Sequence, residues 1–117
     1  MAHSVLTAPM ATIGVPTEIK ADEQRVALTP DAVRELVTQG LEVRIQNGAG
    51  AGAGISDDAF AAAGARLVDR EEAWAAHLVV KVKEPQPMEF SLLRDDMVLF
   101  TYLHLAAYSQ VGEALLD

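Results

Sequence analysis

Short apolar runs alternate with short capped amphipathic segments along most of this chain, and that alternation constrains its fold more than any other feature. TIGVPTE (12–18) reads as a strand leaving into a polar turn, KADEQR. In TPDAVRELVTQG, Thr29 stands as a cap, Pro30 opens a helix and Gly40 follows its end, with Ala32, Val33, Leu36 and Val37 on one face. LEVRIQ (41–46) alternates as a half-buried strand does. SDDAFAAAG is a second helix between Ser56 and Gly64, ARLV a brief strand, and DREEAWAA a third helix carrying the only tryptophan, Trp74. HLVVKVK (77–83) is a markedly apolar strand, MEFSLLRD a helical turn, DMVLFTYL a further strand and AAYSQVGEALLD a helix.

Strands and helices joined by short connections predict an α/β fold: a mostly parallel, doubly wound sheet of the flavodoxin or Rossmann-like kind, because crossover helices must cover both faces. No internal repeat or linker divides it. The final helix carries Leu115 and Leu116 with no terminating glycine, so the pattern predicts an incomplete domain. Residues 1–11 read as a loose leader, and 12–117 as the domain proper.

Composition narrows the partners. Seventeen acidic residues against nine basic ones give a net charge of −8, which disfavours a nucleic-acid backbone. The chain has no cysteine, so disulfides and thiolate metal sites are excluded. No apolar stretch reaches the roughly 18 residues that span a bilayer. The opening residues lack a signal peptide's pattern, and a cytoplasmic protein is expected.

The tract NGAGAGAGI (47–55) invites a dinucleotide reading, since Gly48, Gly50 and Ala53 fit a loose G-x-G-x-x-A. The next helix, however, is capped only at Ser56, and no acidic residue ends a second strand about 20 residues on, where ribose recognition needs one. The tract therefore reads as a connecting loop.

In an open α/β sheet, ligands bind beyond the carboxyl ends of the strands. Arg25 follows the first strand, Lys83 closes HLVVKVK and His104 follows DMVLFTYL. A guanidinium fork pairs with a carboxylate, an ammonium suits a carboxylate or carbonyl oxygen, and an imidazole moves a proton near neutral pH. Together they suit a small α-keto or α-amino acid. Each residue alone also fits a plainer role. Lys83 and Lys81 fit solvated strand-end lysines, Arg25 beside Asp22 and Glu23 a surface ion pair, and His104 between two leucines a core histidine.

The segments GVPTEIKADEQRVALTP (14–30), IQNGAGAGAGISDDAFAAAGA (45–65), LVVKVKEP (78–85) and LFTYLHLAA (99–107) together resemble the N-terminal part of the alanine dehydrogenase family. That family shares its fold with the nicotinamide nucleotide transhydrogenase alpha subunit. The resemblance implies reversible oxidative deamination of L-alanine to pyruvate and ammonia, with NAD as hydride carrier. It implies that Arg25 binds the substrate carboxylate, that Lys83 contacts substrate and acts in catalysis, and that His104 transfers a proton and polarises the carbonyl. It also implies a homohexamer, no metal and no membrane. Family members continue into an NAD-binding Rossmann domain that this sequence lacks, so the 117 residues are expected to be a truncated substrate-binding domain, inactive alone. Two other readings stay open. One is a transhydrogenase alpha-subunit domain, against which His104 and Lys83-Glu84-Pro85 argue; saccharopine dehydrogenases share that fold more distantly. The other is a non-catalytic stub that binds a small carboxylate.

Overall fold

The computed structural model describes residues 11–102. The last helix expected from the sequence, His104 and the leader up to residue 10 lie outside the described residues.

Five strands form one parallel sheet: β1 (Thr12–Val15), β2 (Glu42–Gln46), β3 (Arg66–Val68), β4 (Leu78–Lys83) and β5 (Val98–Tyr102), in spatial order β3-β2-β1-β4-β5. Between the strands run α1 (Pro30–Thr38), α2 (Asp57–Ala62) and α3 (Arg70–Trp74), with tight 3-10 turns at Ala51–Ala53 and Pro87–Leu92. All three helices start where local chemistry dictates. The side chains of Thr29, Ser56 and Asp69 accept the backbone N–H groups of Ala32, Ala59 and Glu72 at 3.2, 3.1 and 2.8 Å.

Alternation along β1 and β2 assigns the two faces. Ile13, Val15, Val43 and Ile45 are buried in one core with Val33 of α1 and Phe60 of α2. The opposite face meets α3. There Gly14 lets the helix backbone approach so closely that a Cβ on it would stand 1.8 Å from the Ala73 carbonyl oxygen. Helices α1 and α2 thus cover one side and α3 the other, as right-handed crossovers require when the chain reverses direction across the sheet.

That reversal fixes where a ligand belongs. The chain leaves β1 toward β2 on one side, then returns after β3 to lay β4 on the other side of β1. The crevice beyond the carboxyl ends of β1 and β4 is the switch point of the fold, where open parallel sheets take their ligands.

Candidate active site

The residues that leave β1 build this crevice. The connection from Pro16 to Thr29 carries Glu18, Lys20, Glu23 and Arg25, and two ion pairs tie it to the end of β4. Lys20 Nζ lies 2.5 Å from Glu84 Oε1, and Lys81 Nζ lies 2.9 Å from Glu18 Oε1. Burial is the largest single influence on Glu84 and works against its charge. The hydrogen bond and charge of Lys20, with hydrogen bonds from the Glu84 backbone and Gln86, together outweigh it and leave the carboxyl below its ordinary range.

Lys81 departs from the sequence expectation. It is not a solvated strand-end lysine: its side chain is 1% exposed, held between Glu18 and Glu89 and 5.9 Å from the centre of the Trp74 ring. Two carboxylates and an aromatic face replace its water shell, and only such partners allow a lysine to be buried. Glu89 Oε2 lies 3.6 Å from the same ammonium, and its Oε1 accepts from the Gln86 backbone N–H at 2.9 Å. Burial nevertheless dominates at Glu89 and pushes its carboxyl above the ordinary range.

Arg25 reaches the crevice on an exposed loop, and Glu23 occupies one edge of its fork. Arg25 Nε and Nη2 donate to the two oxygens of Glu23 at 2.9 and 2.8 Å, and the Arg25 backbone N–H adds a third bond at 2.8 Å. The Arg25 guanidinium holds the Glu23 carboxyl down at about 2, against the effect of burial, and Lys83 adds to the lowering. Glu23 is thus the anion that Arg25 holds within this loop. Lys83 itself is half-buried at the last position of β4, in register with Tyr102 of β5. His104, two residues beyond Tyr102 in the sequence, lies outside the described residues.

A cleft of about 120 Å³ opens between this loop and the glycine tract, lined among others by Glu18, Glu23, Arg25, Gly48 and Gly52. The glycine tract forms the cleft's far wall. A Cβ on Gly52 would stand 3.0 Å from both Cβ and O of Gln24, so a side chain there would crowd the loop that carries Arg25. The tract connects β2 to α2, and the absence of a side chain at Gly52 lets it pack against Gln24 of the loop that carries Arg25.

The tract does not fit a pyrophosphate. It folds into the 3-10 turn at Ala51–Ala53, and the helix after it begins anew at Asp57 behind the Ser56 cap. No run of glycine N–H groups opens that helix, so no step of any reaction is assigned to a dinucleotide here. Among the described residues there is no group of three or more His, Cys, Asp or Glu that could hold a metal ion, and no helix long and apolar enough to cross a membrane.

Sequence reasoning missed Glu18, Glu89 and the burial of Lys81. A Glu placed just past β1 and a Lys within β4 carry no local mark of a contact 63 residues apart in the chain.

Comparison with known proteins agrees with this geometry. Residues 14–117 match the family model described as alanine dehydrogenase/PNT, N-terminal domain. The alanine dehydrogenase of Bacillus subtilis is 49% identical over 106 residues, covering 90% of this chain and 28% of that protein. That of Mycobacterium tuberculosis is 52% identical over 107 residues, covering 90% and 29%. Among solved structures, an L-alanine dehydrogenase superposes with a TM-score of 0.88 at 50% identity, over 90% of this chain and 29% of its own. A transhydrogenase from Sinorhizobium meliloti superposes at 0.83 with 28% identity, over 89% and 31%. The chain thus spans under a third of the length of these relatives. With the parallel sheet, the switch-point crevice and the match from residue 14 to 117 in hand, the chain belongs to the alanine dehydrogenase/PNT N-terminal domain family.

Proposed function

We propose that this chain forms the substrate-side domain of an NAD-dependent L-alanine dehydrogenase, and that Arg25 and Lys83 bind the three-carbon acid there. One observation carries the reading. Arg25, in the loop that leaves β1 and lines the cleft, and Lys83, at the last position of β4, both stand at the switch point of the sheet. A guanidinium fork and an ammonium at that edge suit a small carboxylate.

In this reading Arg25 takes the substrate carboxylate and Lys83 the carboxylate or carbonyl oxygen, drawing electron density from C2 as ammonia adds or leaves. His104 moves the proton, a role that rests on its match to the family motif F-x-L-H-L-A-A. NAD is the hydride carrier, held by residues other than those described. The enzyme works in the cytoplasm as a homohexamer, and the present chain supplies one domain of each subunit. Because it spans under a third of its relatives, the chain by itself is expected to show no NAD-dependent alanine oxidation. Turnover by the purified 117 residues would contradict that expectation.

The transhydrogenase-type alternative requires no amino-acid substrate. The higher identity to alanine dehydrogenases, 49–52% against 28%, and the Lys83-Glu84-Pro85 motif favour the dehydrogenase. Pyruvate titrated into the chain, followed through the side-chain nitrogen signals of Arg25 and Lys83, decides between them. Saturable movement that Lys83→Ala abolishes supports the proposal. Signals that stay still through millimolar pyruvate reject it.

A further inference from the structure

We propose that Glu18 is a positioning residue that sets Lys83 against Arg25. The inference rests on the substrate reading above, but its geometry stands apart from it. Glu18 follows β1 by three residues, its side chain is 1% exposed, and it lines the cleft that Arg25 lines. Its two oxygens are filled from β4. Oε1 accepts from Lys81 Nζ at 2.9 Å and from the Lys83 backbone N–H at 3.2 Å, and Oε2 accepts from the Val82 N–H at 2.8 Å.

Those two amides belong to the stretch where the β4–β5 pairing slips. Val80 pairs with Phe100 and Lys83 with Tyr102, so three steps along β4 oppose two along β5. An irregularity of this kind bends a strand and re-aims the side chain that follows it. The Glu18 carboxylate caps the amides within it and thereby fixes the direction in which Lys83 leaves the strand. The same carboxylate lines the cleft that Arg25 lines, so one group links the aim of Lys83 to the cleft where Arg25 stands. A purely stabilising role accounts poorly for this arrangement, since well-packed apolar residues do as well as a buried ion pair for stability. Two backbone donors held by one carboxylate instead specify a geometry.

The test uses the whole 117-residue chain with Glu18→Gln, which keeps the shape but loses the charge and one acceptor. Pyruvate and propionate are titrated in parallel. Pyruvate offers a carbonyl to Lys83; propionate offers only a carboxylate, which Arg25 can hold with Glu23 still orienting it. Misplacing a binding group by a fraction of an ångström is expected to weaken pyruvate about tenfold, with propionate changed less than about twofold. Equal weakening of both acids, or none for either, overturns the proposal. The Val82 and Lys83 amide protons supply a readout that needs no ligand. Both are expected to move upfield in Glu18→Gln while amides of β2 and β3 stay in place, and unmoved Val82 and Lys83 signals overturn the proposal as well. If wild-type chain takes no pyruvate, the substrate reading fails and these amide signals alone decide the role of Glu18. Should Glu18→Gln not fold, Glu18→Asp retains the charge one methylene short, and the same displacements are expected at smaller size.

Discussion

Replacing Lys81 by methionine isolates the charge that the fold has buried within β4. Methionine keeps most of the unbranched stem, so packing against Trp74 survives while the ammonium is lost. What remains is a pair of carboxylates, Glu18 and Glu89, both 2% exposed or less, whose shared cation at 2.9 and 3.6 Å has gone. Removing one partner from a buried ion pair costs about 3–5 kcal/mol, because the remaining charge is stranded. Domains of this size hold about 5–15 kcal/mol in all, so Lys81→Met should consume a large share of the stability. At about 4 °C per kcal/mol the melting temperature should fall by about 12–20 °C at pH 7. Thermal and urea unfolding measure this together, and an unchanged urea slope certifies that the denatured state is the same.

The pH dependence supplies the sign. Burial already raises the Glu89 carboxyl above its ordinary value in the wild type, and loss of the ammonium raises it further. A group whose folded value exceeds its unfolded one stabilises fully below the unfolded value and loses that contribution as pH rises through the folded value. The deficit of Lys81→Met should therefore shrink as pH falls from 7 toward 4.5. A deficit under about 1 kcal/mol at pH 7 would place Lys81 in water and refute the reasoning. So would a deficit that does not vary with pH.

Three further outcomes follow from single contacts. Gly14→Ala puts a Cβ 1.8 Å from the Ala73 carbonyl oxygen, and since both partners are backbone the site must shift; a loss of about 1–3 kcal/mol or more is expected by urea unfolding. Thr29→Ala removes the 3.2 Å cap bond to the Ala32 N–H and should cost about 1 kcal/mol, seen in the same assay. Glu23 has a folded value of about 2 against an ordinary 4.5, so its pairing with Arg25 stabilises above pH 4.5 and is lost as pH falls toward 2. Because the Arg25 side chain is 67% exposed, solvent limits the effect to about 1 kcal/mol or less, and Glu23→Gln should flatten the stability curve across that window.

What the sequence made legible was local or periodic. Thr29 and Ser56 announce their helices through side chains that reach only three residues ahead, so the caps needed no tertiary knowledge. The alternation of EVRIQ directs Val43 and Ile45 to the core for the same reason, since period two depends on the strand alone. The motif residues Arg25 and Lys83 could be placed near strand ends, and the fold sets Arg25 in the loop after β1 and Lys83 at the last position of β4. The pairing order was not legible. Nothing near β4 states that it lies beside β1, and the whole electrostatic design of the site depends on that adjacency. Lys81 is the case in point. Within VVKVKEP it cannot be told from Lys83, and only Glu18 and Glu89, brought in by the fold, make one buried and the other half-buried. The glycine tract shows the same limit: its reading as a connecting loop is local, but its closeness to Gln24 is a contact between segments more than 20 residues apart.

The most direct measurement is an isotope-edited NOE experiment on the chain with methyl-labelled pyruvate, which asks what the ligand touches. The account predicts cross-peaks from the pyruvate methyl to the side chains of Lys83 and Arg25, both lost in Lys83→Ala. Cross-peaks confined to the Ile55–Asp58 surface on the other side of the glycine tract, with none at Lys83 or Arg25, would contradict it.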